Sequence, residues 1–567
     1  MMVGFLIPAL IVGATMVLAW PLGRYMRWAM DPVEPSPRRS RYESVCASVL
    51  GVLGGKQGLD WRKCGQNWKQ YCLSMLAFNV VMFVLVYTIL TTQQWLPLNP
   101  DAKGTVEPSL AFNTSASFTS NTNLQHYSGE VSLSYFSQLF ALMWLQFVSA
   151  ATGIAAVTAL SRGLAGRTDL GNFFQDVWRA TGLVLLPLAL IWASLLALCG
   201  MPMTLDGSAI ATTLEGAKQT IARGPVAAFV AIKQLGTNGG GWFGPNCTHP
   251  YENPTFWSNV LCNMAIIFIP MGTVWMFGRI TNRLQHAAVL LGVMLLLYLS
   301  FLVSANVFES QPTFAFSDLP VENSMNLEGK ELRFGPTAGA TWAVSTTITS
   351  NGSVNCMHDS LNPLTGLLPL SGMWLNCIFG GVGVGLINLF LFVITAVFLS
   401  GMMVGRTPEY LTRKVETKEM KLALIALLVH PLFILVGTAL FAVTPWGANT
   451  LNNPGSHGLS EILYEFSSAA ANNGSGLEGL GDNTVPWNVA TGIVMLFGRF
   501  IPIIAPLAIA GSLAAKRGTP ESAGTFRTDT VLFGVLLIGT ILIVGALLFM
   551  PVAVLGPIAE HLGTLAH

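Results

Sequence analysis

Four short segments rich in asparagine, glycine, serine and threonine recur along the chain, with backbone oxygen atoms suited to coordinating a cation. They are Ser120-Asn121-Thr122-Asn123, Thr237-Asn238-Gly239-Gly240, Ser350-Asn351-Gly352-Ser353 and Asn472-Asn473-Gly474-Ser475. Their second residues are 117, 113 and 122 positions apart. Carbonyl groups of such segments can replace the water shell of a cation, and glycine adopts the backbone angles that line them up. Large, weakly hydrated K⁺ fits this chemistry better than Mg²⁺, which keeps its waters.

Each segment follows a short, partly apolar stretch and precedes a long apolar one. The short stretches are Pro108–Phe118, Gly224–Gln234, Ala338–Ile348 and Leu459–Ala470. At about 11 residues each is too short to span a bilayer, so we expect re-entrant half-helices whose C-terminal ends carry partial negative charge. A single segment would be interpreted as a surface turn, because Asn-Gly favours turns anywhere. Four at matched positions indicate a repeated unit of helix, half-helix, filter segment and helix.

The composition indicates a membrane protein. Of the 567 residues, 52% are hydrophobic and 10% are charged, whereas a soluble domain has about 25% charged residues. We predict an all-α integral membrane protein with ten transmembrane helices, arranged as four channel-like repeats plus one extra helix at each end. The predicted spans are 3–22, 73–93, 134–159, 180–200, 257–277, 287–305, 375–404, 422–443, 488–513 and 531–551.

These spans divide the chain into six parts. An N-terminal helix and cytoplasmic loop (1–72) come first, followed by repeats at 73–159, 180–277, 287–404 and 422–513, and by a C-terminal helix with an outer tail (531–567). With the N-terminus outside, the cytoplasmic loops hold 22 Lys/Arg and the outer loops six, whereas acids number 11 inside and 17 outside. The positive-inside rule therefore predicts that both termini lie outside. The acidic outer face either concentrates cations at a pore mouth or reflects the tolerance of acids on that side.

Longer motifs resemble a known family. The motifs are Asn121–Glu130, Gly236–Gly241, Asn326–Gly335, Val354–Ser360, Phe379–Gly383 and Gly405–Tyr410. They are similar to the potassium-binding A subunit of the Kdp potassium-transporting ATPase (KdpA), in the superfamily of K⁺ transporters, and the resemblance covers essentially the whole chain.

The resemblance implies a subunit of a K⁺ uptake pump in the bacterial cytoplasmic (inner) membrane. The expected partners are a P-type ATPase subunit (B), a single-span C subunit, a small F subunit and the lipid bilayer, with no nucleic acid. K⁺ is the transported ion, and ATP hydrolysis belongs to the partner. A stand-alone Trk/Ktr-type channel or ion-coupled transporter with the same four-repeat fold is the alternative. The two extra end helices and Gly236–Gly241 favour the pump subunit.

Carried over by match, the resemblance assigns twelve filter residues. They are Asn121, Thr122, Asn123, Thr237, Asn238, Gly239, Ser350, Asn351, Gly352, Asn472, Asn473 and Gly474. Gln125 matches a glutamine beside the filter, and in this register Thr122 stands where the other segments have glycine. The family also implies a break in the second helix of the third repeat, which Gly380–Gly385 would allow, although close helix packing explains these glycines equally well. The resemblance leads us to expect an acid in relatives at the position of Asn376.

Arg499 and the glycines at the expected break are candidates for gating. They are Gly380, Gly381, Gly383 and Arg499. A lone charge at membrane depth usually faces a partner or water, and Arg499 is the only charged residue placed within a predicted span. It is interpreted either as a fixed positive charge beneath the filter or as part of a structural ion pair or a snorkelling residue. His358-Asp359 is a further polar pair, interpreted as a hydrogen-bonded loop rather than a metal or proton site.

Nucleotide chemistry is not expected of this chain. It has no Asp-Lys-Thr-Gly phosphorylation motif, and Gly54-Gly55-Lys56-Gln57 lacks the pattern of a phosphate-binding loop. The eight cysteines, Cys46, Cys64, Cys72, Cys199, Cys247, Cys262, Cys356 and Cys377, show no Cys-x-x-Cys pairing. Structural thiols are the expected interpretation.

Overall fold

Ten long apolar helices form the framework of the computed structural model, which describes residues 2–31, 37, 39–44, 65–313, 320, 325–519 and 527–565. The helices long and apolar enough to cross a membrane are Leu6–Met30, Trp68–Trp95, Ser137–Leu164, Phe173–Leu198, Phe256–Ile280, Leu284–Glu309, Val384–Met403, Thr417–Val443, Val485–Ala514 and Val531–Gly563. The prediction of an all-α membrane protein with ten spans is confirmed. Cys46, Cys64 and Gly54–Gln57 lie outside the described residues; of the described cysteines, all six are free thiols.

The buried share of the spanning helices alternates between the first and the second helix of each repeated unit. In the second helix of each of the four units, 61% to 83% of the most apolar stretch is buried inside the protein. In the first helix of each unit the share is 22% to 44%, and the two end helices have 39% and 22%. The second helices therefore form the centre, while the first helices and the end helices present apolar surface to lipid.

Four shorter helices lie between the paired spans, where the half-helices are predicted. They are Pro108–Thr119, Val226–Leu235, Gly335–Ile348 and Gly455–Ala471, called re-entrant helices 1 to 4 below. The first shows why such a helix begins where it does. Pro108 occupies its first turn, where no backbone donor is needed, and the Glu107 carboxylate accepts the Leu110 backbone N–H at 2.9 Å. All four are largely buried. Burial within the protein is required at membrane depth, because the polar backbone groups at the helix ends cannot face lipid.

The seventh span differs from the prediction of one continuous helix over 375–404. A helix Pro363–Leu375 comes first and ends at Asn376, whose φ of 43° and ψ of 29° are left-handed. The next helix, Val384–Val404, begins after Gly383, whose φ is 80°. Residues 376–383 thus form a non-helical connection, called the break loop below. The break is present, slightly earlier than Gly380–Gly385, because its last two residues already belong to the helix.

Two small hairpins complete the described elements. Ala209–Thr212 pairs antiparallel with Lys218–Ile221, with Ala209 opposite Ile221. Glu409–Tyr410 pairs with Arg413–Lys414, with Glu409 opposite Lys414. Both hairpins lie between spanning helices, so they belong to the polar ends of the molecule.

Candidate ion-binding site

The C-terminal ends of the four re-entrant helices turn in the same way. In each segment, the first filter residue donates its N–H to the carbonyl three residues earlier, and the second residue donates to the carbonyl five residues earlier. The first bonds are Asn121→Phe118, Thr237→Gln234, Ser350→Thr347 and Asn472→Ala469, at 3.2–3.3 Å. The second are Thr122→Ser117, Asn238→Lys233, Asn351→Thr346 and Asn473→Ser468, at 2.8–2.9 Å. Four segments of similar but not identical sequence thus make the same turn.

The backbone angles of the segments alternate in sign. The first residues have left-handed φ, namely Asn121 64°, Thr237 47°, Ser350 48° and Asn472 53°. The third residues do as well, namely Asn123 56°, Gly239 79°, Gly352 88° and Gly474 106°. Successive carbonyls of a uniform extended strand point to opposite sides, whereas alternation of φ sign turns them toward the same side. The four segments therefore share a backbone in which successive carbonyls face one side, an arrangement that can coordinate a cation.

This pattern corrects the register predicted between the segments. Thr122 corresponds to Asn238 and its equivalents, not to the glycines, because both follow a left-handed first residue. Asn123 occupies the glycine position instead. The substitution is possible because asparagine tolerates the left-handed region better than other residues with a side chain.

Close contacts between the segments show that they form a ring. A Cβ added to Gly239 would overlap the carbonyl oxygen of Asn351 in the next repeat. Equivalent overlaps would join Gly352 to the Asn473 carbonyl and Gly474 to the Thr122 carbonyl. At the remaining junction, a Cβ on Gly240 would lie 2.9 Å from the Cβ of Asn123. The repeats therefore follow one another around a common axis, and glycine is required by space as well as by φ.

Asparagine side chains fasten neighbouring segments behind the carbonyls. The bonds are Asn121 Nδ2→Thr237 O (3.0 Å), Asn238 Nδ2→Asn121 Oδ1 (2.7 Å), Asn351 Nδ2→Lys233 O (3.2 Å), Asn472 Nδ2→Thr122 Oγ1 (2.9 Å) and Asn473 Nδ2→Thr346 O (2.9 Å). Each crosses from one repeat to another. The amides thus hold the ring at a fixed width, which selection of one cation by size and coordination requires.

Gln125 lies beside the ring and joins the first two repeats. Its Oε1 accepts the Gly241 N–H at 2.7 Å, and its Nε2 donates to the Gly241 carbonyl at 3.0 Å. A side chain that bonds both groups of one residue fixes the distance between the two loops. The structure therefore places Gln125 between the first two segments.

A buried ion pair that the sequence did not predict supports the second segment. Lys233 lies in re-entrant helix 2, and its ammonium contacts the Glu252 carboxylate, with both side chains fully buried. It also donates to Asn246 Oδ1 at 2.6 Å, and Asn246 Nδ2 donates to the Gly239 carbonyl at 2.6 Å. Lys233 was predicted among the six basic residues of the outer loops, but it lies in a buried helix instead. A lysine within an otherwise apolar half-helix was the available signal, since such a charge needs a buried partner.

The break loop lies against the second and third filter segments. The Val382 N–H donates to Thr237 Oγ1 at 2.8 Å, and the Gly380 N–H donates to the Ile348 carbonyl at 2.7 Å. Ser350 Oγ donates to the carboxamide oxygen of Asn376 at 2.9 Å. The gating candidates in this loop are thus brought directly to the residues of the ring.

Arg499 lies beside the break loop in the middle of the last repeat's second helix. Its side chain is buried, its Nη2 donates to the Ser149 carbonyl at 3.3 Å, and a Cβ on Gly381 would lie 3.5 Å from its Nη1. Among the described residues no carboxylate lies within 4.0 Å of it, which argues against the structural ion pair. Arg499 is not the only charge within a span, because the helices continue past the apolar runs and include Arg27 and Arg162.

His358 and Asp359 do not form a joint site. His358 Nδ1 lies 2.8 Å from the Tyr464 hydroxyl in re-entrant helix 4. Asp359 Oδ1 instead lies 3.0 Å from His457 Nε2. The adjacent residues bond in different directions, as expected of a hydrogen-bonded loop.

Comparison with known proteins identifies the family. The family model described as "Potassium-transporting ATPase A subunit" (KdpA) matches residues 9–562. The chain belongs to this family. A relative from Geobacillus kaustophilus (strain HTA426), the "Potassium-transporting ATPase potassium-binding subunit", is 47% identical over 550 residues, which cover 96% of this chain and 97% of the relative.

The fold is also shared with a solved structure. The crystal structure of the potassium transporter TrkH from Vibrio parahaemolyticus matches with a TM-score of 0.51 and covers 89% of this chain and 96% of that chain. At 14% identity the likeness concerns the fold alone. It agrees with the arrangement of four helix, half-helix, helix units described above.

Proposed function

We propose that this KdpA-family chain is the potassium-binding, channel-like subunit of an ATP-driven K⁺ uptake pump. The observation that carries the proposal is the ring of four segments with the same alternation of φ sign, because it presents backbone carbonyls of four repeats to one axis. Rings of carbonyls suit an ion that gives up its water shell readily, as K⁺ does and Mg²⁺ does not. Family membership and the name of the 47% identical relative support the same ion.

The filter residues follow from this ring. The ring has three levels, each with one residue from every segment. The first level consists of Asn121, Thr237, Ser350 and Asn472, the second of Thr122, Asn238, Asn351 and Asn473, and the third of Asn123, Gly239, Gly352 and Gly474. Gln125 positions the first segment against the second through its two bonds to Gly241. Each level contributes up to four carbonyl oxygens. The C-terminal ends of the four re-entrant helices add partial negative charge. At exposed sites such a helix end stabilises a nearby cation by about 0.3–1 kcal/mol per helix.

The break loop and Arg499 restrict the movement of K⁺ beneath the ring. The loop is bonded to the underside of two filter segments, so it obstructs a straight path along the axis. Arg499 places a fixed positive charge there, which repels a cation that has left the filter. K⁺ then passes sideways to the ATPase subunit.

The partners and orientation complete the proposal. This chain hydrolyses no ATP and binds no nucleotide; it assembles with a P-type ATPase subunit (B), a single-span C subunit and a small F subunit. It lies in the bacterial cytoplasmic membrane with both termini outside, and its chain divides at the boundaries given above. A cysteine introduced at the fully exposed Leu214, in the first hairpin, would then react with an impermeant thiol reagent added outside intact cells. Reaction only after the cells are opened would reverse the orientation.

One purification distinguishes the pump subunit from a stand-alone channel or transporter. The tagged chain is purified gently from its native membrane and assayed for ATP hydrolysis with added K⁺ or Na⁺. We expect co-purifying hydrolysis that K⁺ stimulates and Na⁺ does not, and that is lost in Gly239→Asp. K⁺ flux through the chain alone in liposomes, without associated ATPase, would contradict the proposal.

A further inference from the structure

A buried histidine between two carboxylates lies just beyond the first filter segment. His126 Nδ1 is 2.7 Å from the carboxamide oxygen of Asn488, whose Nδ2 donates to Ser109 Oγ at 3.1 Å. The oxygen of Asn488 can only accept, so the proton is on Nδ1 of His126. This arrangement directs the other ring nitrogen, Nε2, toward the carboxylates. A hydrogen bond that fixes the tautomer in this way is typical of metal-binding histidines.

The carboxylates belong to Glu465 and Asp482. His126 Nε2 is 3.0 Å from Glu465 Oε1 and 3.9 Å from Asp482 Oδ2. Glu465 is 1% exposed, and its second oxygen, Oε2, has no hydrogen-bond partner among the described residues. An unpartnered carboxylate oxygen at a buried site is costly. The cluster therefore contains a ligand atom that the protein itself leaves without a partner.

Charge and geometry both fit a divalent metal ion. Two carboxylates around one imidazolium keep a net charge of −1, whereas a neutral histidine with a divalent cation brings the cluster to zero. Bonds of about 2.0–2.2 Å at tetrahedral angles separate neighbouring ligand atoms by about 3.3 Å. The observed separations of 3.0 and 3.9 Å bracket that value. Histidine nitrogen and carboxylate oxygen are ligands of Zn²⁺.

We infer that His126, Glu465 and Asp482 form a binding site for a divalent transition-metal cation of the Zn²⁺ type, with water as the fourth ligand. The Asp482 side chain is 27% exposed and gives the ion access to the site. The site joins the loop after the first filter segment to re-entrant helix 4. It also adjoins Gln125, so a bound dication places positive charge beside the ring. If the proposed function holds, Zn²⁺ therefore raises the K⁺ concentration that half-saturates the pump.

A second histidine provides a matched control. His457 Nε2 lies 3.0 Å from Asp359 Oδ1, and its Nδ1 lies 2.7 Å from Glu560 Oε1. One carboxylate therefore lies at each ring nitrogen of His457, whereas Glu465 and Asp482 converge on the single nitrogen Nε2 of His126. The ligand atoms of Asp359, His457 and Glu461 also lie within 4.8 Å of one another, so His457→Gln removes a histidine from a comparable acidic cluster while leaving the proposed site unchanged.

The test measures Zn²⁺ binding to the untagged, chelator-treated complex by calorimetry, with Co²⁺ absorption as a probe of tetrahedral coordination. We expect one tight site per chain, weakened at least about tenfold in His126→Gln and in Asp482→Asn, and unchanged in His457→Gln. Asp482→Asn serves if His126→Gln does not assemble, because its side chain is partly exposed. Absence of binding in the wild-type complex, or equal affinity in both variants, would show an ion pair only and overturn the inference. Binding is measured without ATP, so this result is independent of K⁺ transport.

Discussion

At the scale of single residues, the proposed filter depends on two constraints that act together. A left-handed φ costs a residue with a side chain about 1–2 kcal/mol, and the contacts between repeats leave no room for a Cβ at the three glycines. In the first segment Asn123 replaces the glycine, and it satisfies the first constraint because asparagine tolerates the left-handed region. The ring is therefore not fourfold symmetric, although the sign of φ alternates in the same way in all four segments.

The sequence located these residues but could not align them correctly. Asn-Thr-Asn and Thr-Asn-Gly can be aligned in two registers. Matching identical residues favoured the wrong register, in which Thr122 is aligned with the glycines. The φ of Thr237 and Ser350 decided the register, and residues of these types give no warning of a left-handed conformation. Glu252 was missed because it is 19 residues from Lys233, and only the fold brings the pair together.

The buried pair of Lys233 and Glu252 yields a stability prediction. Lys233→Met leaves an uncompensated buried carboxylate and should destabilise the chain by about 3–5 kcal/mol. The double variant Lys233→Met/Glu252→Gln should lose less, because neither charge is left alone. Thermal unfolding of the purified complex measures both. Arg333→Met, which breaks an exposed pair with Glu331, is the control and should change stability by less than about 1 kcal/mol. A double variant no more stable than the single would contradict this account.

Arg499 yields a prediction about transport. Arg499→Gln keeps a hydrogen-bond donor near the Ser149 carbonyl but removes the charge that we propose lies beneath the ring, so we expect altered K⁺ transport with assembly intact. ATP-driven K⁺ uptake into proteoliposomes and co-purification of the ATPase subunit measure the two effects. Arg279→Gln, whose guanidinium lies over the Trp20 ring at 4.3 Å, is the control. Unchanged transport in Arg499→Gln would reject the role of the charge.

At the scale of elements, length and hydropathy predicted nearly everything except the break. The half-helices were found because about 11 apolar residues cannot cross a bilayer. The seventh span was predicted as one helix, since 375–404 is apolar almost throughout. Hydropathy cannot detect a change of backbone conformation, and the break follows from left-handed φ at Asn376 and Gly383. Only the resemblance to a family indicated an interruption there.

An ion triad joins three elements and predicts a dependence of stability on pH. His457 in re-entrant helix 4 connects Asp359, in the loop after the third segment, to Glu560 of the C-terminal helix. Burial alone would lower the pKa of His457, but the two carboxylates raise it to about 10. A raised pKa stabilises the fold fully below the unfolded value of about 6.5 and ceases to do so as pH rises toward 10.

The expected result is a melting temperature of the complex that falls between pH 6.5 and 10 in the wild type. In His457→Gln the same range should produce a smaller fall, because the titrating group is gone. Differential scanning fluorimetry at half-unit pH steps measures both curves. Parallel curves would contradict the role of the triad.

At the scale of the whole molecule, four units with buried second helices enclose one ring. Even spacing along the sequence made this architecture predictable, because units of similar length placed around an axis bring equivalent residues together. The order of the repeats around the ring was not predictable, since it depends on contacts such as that of Gly352 with the Asn473 carbonyl. Burial of apolar surface sets the arrangement of helices, and backbone geometry sets the site.

The measurement that tests the central claim most directly is the K⁺ concentration that half-saturates ATP hydrolysis by the complex in Gly352→Ala. The added methyl group would overlap the Asn473 carbonyl in the ring, so we expect at least about a tenfold rise, equivalent to 1.4 kcal/mol. Gly216→Ala is the matched control, because Gly216 has a φ of 85° but open space around it. It should behave as the wild type. Wild-type K⁺ dependence in Gly352→Ala would show that the ring is not the selectivity filter.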